Sequence, residues 1–206
     1  MKKKKWRKVA WRLALLAFGI LFAAAGCGNG NADTKAALPP IDDERFPDDA
    51  MKDYARKMLG SKVPDFTLAD LAGNKVSLSF FKGQPFVLEF AKTTCPYCRA
   101  VQPVAEEVAG MRPDVAFVQA FLSNTREEVA AYLAETGTGS TEIVVLTGDA
   151  GDEPGEIRER FGHFPYVPLF LFIDGDGTIV DMRFGSFDLA TMERSLSLAF
   201  PSGKEG

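Results

Sequence analysis

Short apolar runs alternate with longer stretches of helical period along this chain, and that rhythm predicts most of its elements. Phe66 and Leu68 alternate with polar residues, Ala72-Gly73-Asn74 reads as a turn, and Val76 and Leu78 alternate again, predicting a β-hairpin. Phe86 to Ala91 is apolar on both faces apart from Glu89, the pattern of a buried strand. From Pro96 to Ala109, residues Val101, Val104, Ala105, Val108 and Ala109 recur at helical spacing, with Pro103 expected to kink the helix. Val115 to Leu122 predicts a second buried strand. Thr125-Arg126-Glu127-Glu128 has the form of a capping box, opening a helix with the stripe Val129, Tyr132 and Leu133, which Gly137 ends. Ile143 to Leu146 predicts a short strand and Gly155 to Phe161 a short helix. Leu169 to Ile173 and Thr178 to Met182 form a hairpin across Asp174-Gly175-Asp176-Gly177, and Leu189 to Phe200 is a closing helix. This order predicts an α/β fold: a mixed central sheet with helices on both faces.

The N-terminal segment follows a different pattern. Lys2 to Arg12 carry all seven positive charges of the first 26 residues, with no acid among them, and the apolar run Leu13 to Ala25 follows. That run is short for a membrane span and suits the core of a secretory signal. It leads through Ala24-Ala25-Gly26 into Cys27, which resembles the lipobox of bacterial lipoproteins, with Ala24 where leucine is usual. An ordinary signal peptide cut nearby, or an uncleaved anchor, are the alternatives, and each exports the chain. Gly28-Asn29-Gly30-Asn31 and Pro39-Pro40 read as tether, within which Asp48 to Leu59 predicts one short helix stopped by Gly60. The division expected is signal 1–26, tether 27–60, domain 61–200 and tail 201–206.

Charge and cysteine count narrow the function. The net charge is −4, but removing the signal leaves 17 basic against 28 acidic residues, or −11. An acidic surface without a basic patch argues against nucleic acid as a partner. Three cysteines in an exported chain leave one unpaired; lipid on Cys27 and one redox pair accounts for all three.

That pair is Cys95-Pro96-Tyr97-Cys98, at the junction between the Phe86 strand and the Pro96 helix. Thiols three apart can close a disulfide, and the first stands where unpaired backbone N–H groups favour a thiolate. Cys95 is therefore the candidate nucleophile, and Cys98, one turn inside, the thiol that displaces what Cys95 captures. A fixed disulfide gains little from so short a loop. A zinc site wants four ligands, whereas the chain offers these two thiols and one histidine, His163; no metal or cofactor is expected. Glu89 is a carboxylate in an apolar strand. Either its pKa rises by burial, or it lies at a sheet edge paired with Lys82 or Lys92. His163 reads as an ordinary loop or core residue.

Taken together, these residues resemble the thioredoxin-fold proteins of the membrane-anchored TlpA/ResA-like branch. Gly60, Val63-Pro64-Asp65-Phe66, Leu68, Gly73, Leu78 and Lys82-Gly83 match the branch's N-terminal hairpin extension. Cys95, Cys98 and Pro103 match its active-site helix, Val167-Pro168 its proline loop, and Gly185 the position after the last hairpin. The resemblance implies a three-layer thioredoxin-like fold in which Pro168 is cis and the Val167 backbone pairs with a bound substrate strand. It implies that Glu89 lies beneath Cys98 and takes its proton, and that Tyr97, with Pro96, sets redox potential and touches substrate. Two departures stand out: Pro-Tyr between the cysteines is more familiar from glutaredoxins, and Thr94 replaces the usual tryptophan. The implied activity is an exported, lipid-anchored thiol–disulfide oxidoreductase acting on protein substrates on the extracytoplasmic face or in the periplasm. The family's common task is keeping the thiols of other exported proteins reduced, for example those of apocytochrome c before haem attachment, with electrons from a membrane dithiol donor. Oxidase or isomerase activity is the nearest variant. A thiol peroxidase wants threonine where Lys92 stands, and a copper-handling lipoprotein is disfavoured by the proline between the cysteines.

Overall fold

A computed structural model describes residues 38–136 and 143–201 of the chain. The segment expected to be a signal, Cys27, the first part of the expected tether, Gly137 and the end of the expected tail lie outside the described residues. The elements are helix α1 (Asp49–Met58), strands β1 (Thr67–Asp70), β2 (Lys75–Ser77) and β3 (Phe86–Phe90), helix α2 (Pro96–Met111), strand β4 (Ala116–Phe121) and helix α3 (Arg126–Thr136). Strand β5 (Ile143–Gly151), helix α4 (Pro154–Arg160), strands β6 (Leu169–Ile173) and β7 (Ile179–Phe184) and helix α5 (Leu189–Ala199) follow. Among the described residues, no helix is long and apolar enough to cross a membrane.

The strands form one mixed sheet in the order β2-β1-β5-β4-β3-β6-β7. β3, β4 and β5 run parallel to their neighbours in that trio, and the outer pairings are antiparallel. Strand β3 is interior to the sheet, and every one of its residues is buried. Side chains alternate across it. Phe86, Leu88 and Phe90 enter a core shared with α1 and α4, whereas Val87 enters one shared with α2, α3 and α5. Glu89 has the parity of Val87, and that parity directs it under α2. A fully buried aromatic or aliphatic side chain contributes roughly 1.5–3 kcal/mol, so both layers are needed to hold the sheet.

Local chemistry sets the helix starts. The capping box forms as expected: the Glu128 amide donates to Thr125 Oγ1 (3.3 Å) and the Thr125 amide to Glu128 Oε2 (2.9 Å). In the last hairpin, Asp174 Oδ1 accepts from the Thr178 amide at 2.8 Å, and Gly177 supplies the positive φ of 78° that closes the turn.

Two expectations are corrected. The tether over 27–60 does not extend to residue 60. Phe46, Tyr54, Ala55 and Met58 are buried in the same core as Leu88 and Leu171. Asp48 caps α1, accepting from the Met51 amide at 2.8 Å, and the amphipathic helix lays Tyr54 edge-on to Phe184 at 5.7 Å. Arg45 also pairs with the buried Asp181 of β7. Strand β5, expected to end at Leu146, runs on to Gly151 because β1 pairs antiparallel with that extension. Through it the N-terminal hairpin joins the sheet.

Candidate active site

Helix α2 begins on a sulfur. Cys95 is its N-cap, with extended backbone, and its Sγ accepts the Cys98 amide N–H at 3.3 Å. Pro96 at the first helical position has no N–H to leave unpaired. Because the helix macrodipole places partial positive charge here, the N-cap sulfur sits where an anion is favoured. Cys95 is partly exposed, whereas Cys98 is wholly buried, and both thiols are unbridged.

The proline loop closes over this sulfur. The Val167–Pro168 peptide is cis, and the Cys95 thiol donates to the Val167 carbonyl oxygen at 3.5 Å. Gly185 donates its amide to the Pro168 carbonyl at 3.0 Å, fixing the loop to the end of β7. Tyr97, on the outer side of the first turn, is 61% exposed, and Tyr166 beside the loop is 46% exposed.

Beneath the cysteines lies Glu89, 2% exposed, so the alternative of a sheet-edge carboxylate paired with Lys82 or Lys92 does not hold. Burial pushes its carboxyl up from an ordinary 4.5 to about 7, opposed by the hydrogen bond from Gln119. Burial also pushes the Cys98 thiol well up, reinforced by its hydrogen bond to Cys95 and by the nearby Glu89 charge. Cys98 therefore needs a base to ionise, and the adjacent carboxyl titrates in a range where it can serve.

His163 is not part of this constellation. It is exposed, at a φ of 54°, with its amide donating to the Arg158 carbonyl at 2.8 Å in the turn after α4. Among the described residues, no three His, Cys, Asp or Glu side chains gather into a group able to hold a metal ion.

Sequence reasoning passed over a second set of residues. Asn124 locks the loop before Cys95, its Nδ2 donating to Thr93 Oγ1 (2.8 Å) and its Oδ1 accepting the Thr93 amide (3.2 Å). Arg99 stacks over the Tyr132 ring at 5.1 Å. Gln102, Gln119 and Tyr132 are buried beside Glu89. A polar Gln119 inside an apolar strand was the available signal, of the same kind as Glu89.

Comparison with known proteins identifies the family and the fold. The model of the AhpC/TSA family matches residues 59–182. The chain belongs to the AhpC/TSA family. The thioredoxin-like protein YneN of Bacillus subtilis is 28% identical over 150 residues, which span 70% of this chain and 85% of YneN. The thiol-disulfide oxidoreductase ResA of Bacillus cereus is 26% identical over 147 residues, spanning 69% of this chain and 79% of ResA. A solved structure of a secreted Mycobacterium tuberculosis disulfide oxidoreductase, homologous to E. coli DsbE, superposes with a TM-score of 0.53. At 24% identity, covering 64% of this chain and 94% of that one, it establishes the shared thioredoxin-like fold. This member of the AhpC/TSA family is a thioredoxin-like thiol–disulfide oxidoreductase.

Proposed function

We propose that the chain is an exported, membrane-anchored enzyme that reduces disulfides in other exported proteins through the Cys95–Cys98 dithiol. Cys95 Sγ, as a thiolate, attacks one sulfur of the substrate disulfide; that S–S bond breaks and the other substrate sulfur leaves with the electron pair and takes a proton. Cys98 then gives its proton to Glu89 and attacks Cys95 Sγ, forming the Cys95–Cys98 disulfide and releasing the second substrate thiol. The substrate gains two electrons and two protons, and a membrane dithiol donor restores the enzyme. Apocytochrome c before haem attachment is one substrate of fitting chemistry.

The observation that carries this reading is the Cys95 sulfur itself, capping α2 beside the Val167 carbonyl, with a buried partner thiol behind it. The Val167 backbone, beside the Cys95 sulfur, suits pairing with an extended substrate strand, and Tyr97 and Tyr166 are exposed near it. Export and anchoring are supported by the basic-then-apolar N-terminus ending at Cys27. A peroxidase reading is less well supported, since Lys92 holds the place where that chemistry wants threonine.

Insulin reduction with dithiothreitol tests the proposal. Catalysed precipitation of the insulin B chain is expected, and its absence together with tight Cu(I) binding would favour a copper-handling role.

A further inference from the structure

The carboxyl under Cys98 is the end of a buried polar chain. Glu89 and Gln119 are register partners across the parallel β3–β4 pair, and both project toward α2, while Phe170 of β6 stands on the other side of Glu89. Gln119 Nε2 donates to Glu89 Oε2 at 2.6 Å and to Gln102 Oε1 at 2.7 Å. Gln102 Nε2 returns a bond to Gln119 Oε1 at 3.3 Å and donates to Glu106 Oε1, also at 3.3 Å. The Tyr132 hydroxyl donates to Gln102 Oε1 at 3.5 Å. Glu89, Gln102, Gln119 and Tyr132 are all buried, at 2% exposure or less.

Donor counting fixes the direction of this chain. An amide nitrogen has two hydrogens and no acceptor site. Both hydrogens of Gln119 are engaged, by Glu89 and Gln102; both of Gln102 are engaged, by Gln119 and Glu106. Rotating either amide by a half turn would set an oxygen against a carboxylate. Glu106 and Tyr132 thus orient Gln102, Gln102 orients Gln119, and Gln119 must present an N–H to Glu89. On Glu89, Oε2 is held and Oε1 has no partner.

We infer that the Gln102–Gln119 amide pair is a positioning device for Glu89, holding Oε2 so that Oε1 is the oxygen that exchanges a proton with Cys98. This rests on the proposed role of Glu89 as base. In the resolving step the Cys98 S–H bond breaks, the proton moves to Oε1 and the electron pair stays on sulfur. That sulfur then attacks Cys95 Sγ as the substrate sulfur leaves. A donor to Oε2 favours the carboxylate over the acid, so the pair also sets the pH at which the step becomes fast. The titratable and charged groups around the cluster are Cys95, Cys98, Arg99 and Glu106 from α2 and Tyr132 from α3.

Stopped-flow reaction of the reduced full chain with 5,5′-dithiobis(2-nitrobenzoate) separates the steps. The first released thionitrobenzoate reports attack by Cys95, the second reports resolution by Cys98. In Gln119→Leu the second phase is expected to shift its pH midpoint about one unit to the alkaline side, slowing it about fivefold at pH 7, with the first phase unchanged. Gln102→Leu keeps the Glu89–Gln119 bond but frees the amide to turn, so a smaller shift in the same direction is expected. It carries the test if Gln119→Leu does not fold. A purely structural pair would lower the urea midpoint and leave the second-phase pH midpoint where it was, overturning the inference. If Glu89→Gln abolishes the inflection while both glutamine variants leave it unmoved, only the positioning role fails. If Glu89→Gln itself changes nothing, the role of Glu89 falls and this inference with it.

Discussion

Cys95 and Val167 are 72 positions apart, yet the thiol of one donates to the carbonyl of the other at 3.5 Å. The contact joins the start of α2 to the loop before β6, and β3, paired with β6 from Phe86 to Phe90, is the beam that aligns them. A substrate strand laid along the Val167 backbone would bring its own sulfur to the same place. Sheet register therefore sets the Cys95–Val167 contact, and residues distant in sequence become testable parts of one device.

Burial of Glu89 predicts a pH slope in stability. Its carboxyl ionises near 4.5 when unfolded and near 7 when folded, so its contribution is fully present below pH 4.5 and is lost as pH rises through 7. The difference corresponds to roughly 3 kcal/mol. Urea unfolding of Glu89→Gln against the parent chain between pH 4 and 8 should show the variant gaining relative stability as pH rises. Parallel curves would contradict the burial argument.

Two glycine substitutions should act with opposite sign. A Cβ on Gly148 would lie 2.0 Å from the Leu122 carbonyl oxygen, so Gly148→Ala is expected to cost more than about 3 kcal/mol. Gly110, in the last turn of α2, has nothing within 4 Å, and Gly110→Ala should add about 0.5–1 kcal/mol. Chemical denaturation midpoints decide both.

The segment before β1 belongs to the domain, and the Arg45–Asp181 pair tests it. Asp181 is 2% exposed and its second oxygen has no partner, so Arg45→Ala would strand a buried charge at a cost of about 3–5 kcal/mol. Arg45→Met combined with Asp181→Leu should recover much of that loss. If Arg45→Ala is neutral, residues 41–59 dock more weakly than their burial implies.

What was legible in the sequence was what local pattern determines. The two hairpins, the buried strand β3, the capping box of α3 and the helix opened by Cys95 follow from period, turn chemistry and caps within a few residues. The apolar pattern stops at Leu146, yet Thr147 to Gly151 continues the strand because β1 supplies its partner from across the chain. Gly151, at a φ of 122° and 2.2 Å from the Thr67 carbonyl for any added Cβ, is required by that approach rather than by a turn. In the site, Cys95 and Cys98 stand out by their spacing at a strand-to-helix junction, whereas Val167 and Pro168 stand out only through the family resemblance. Gln102 and Gln119 were not, since a single buried amide says nothing in sequence about the partner that satisfies it.

The most direct measurement is capture by Cys98→Ala, expressed in full with its N-terminal segment in the source cells and recovered under acid quench. One protein per chain should be found disulfide-linked to Cys95, released by dithiothreitol and absent when Cys95 is also replaced. A variant that captures nothing, or captures through another position, would contradict the exchange mechanism.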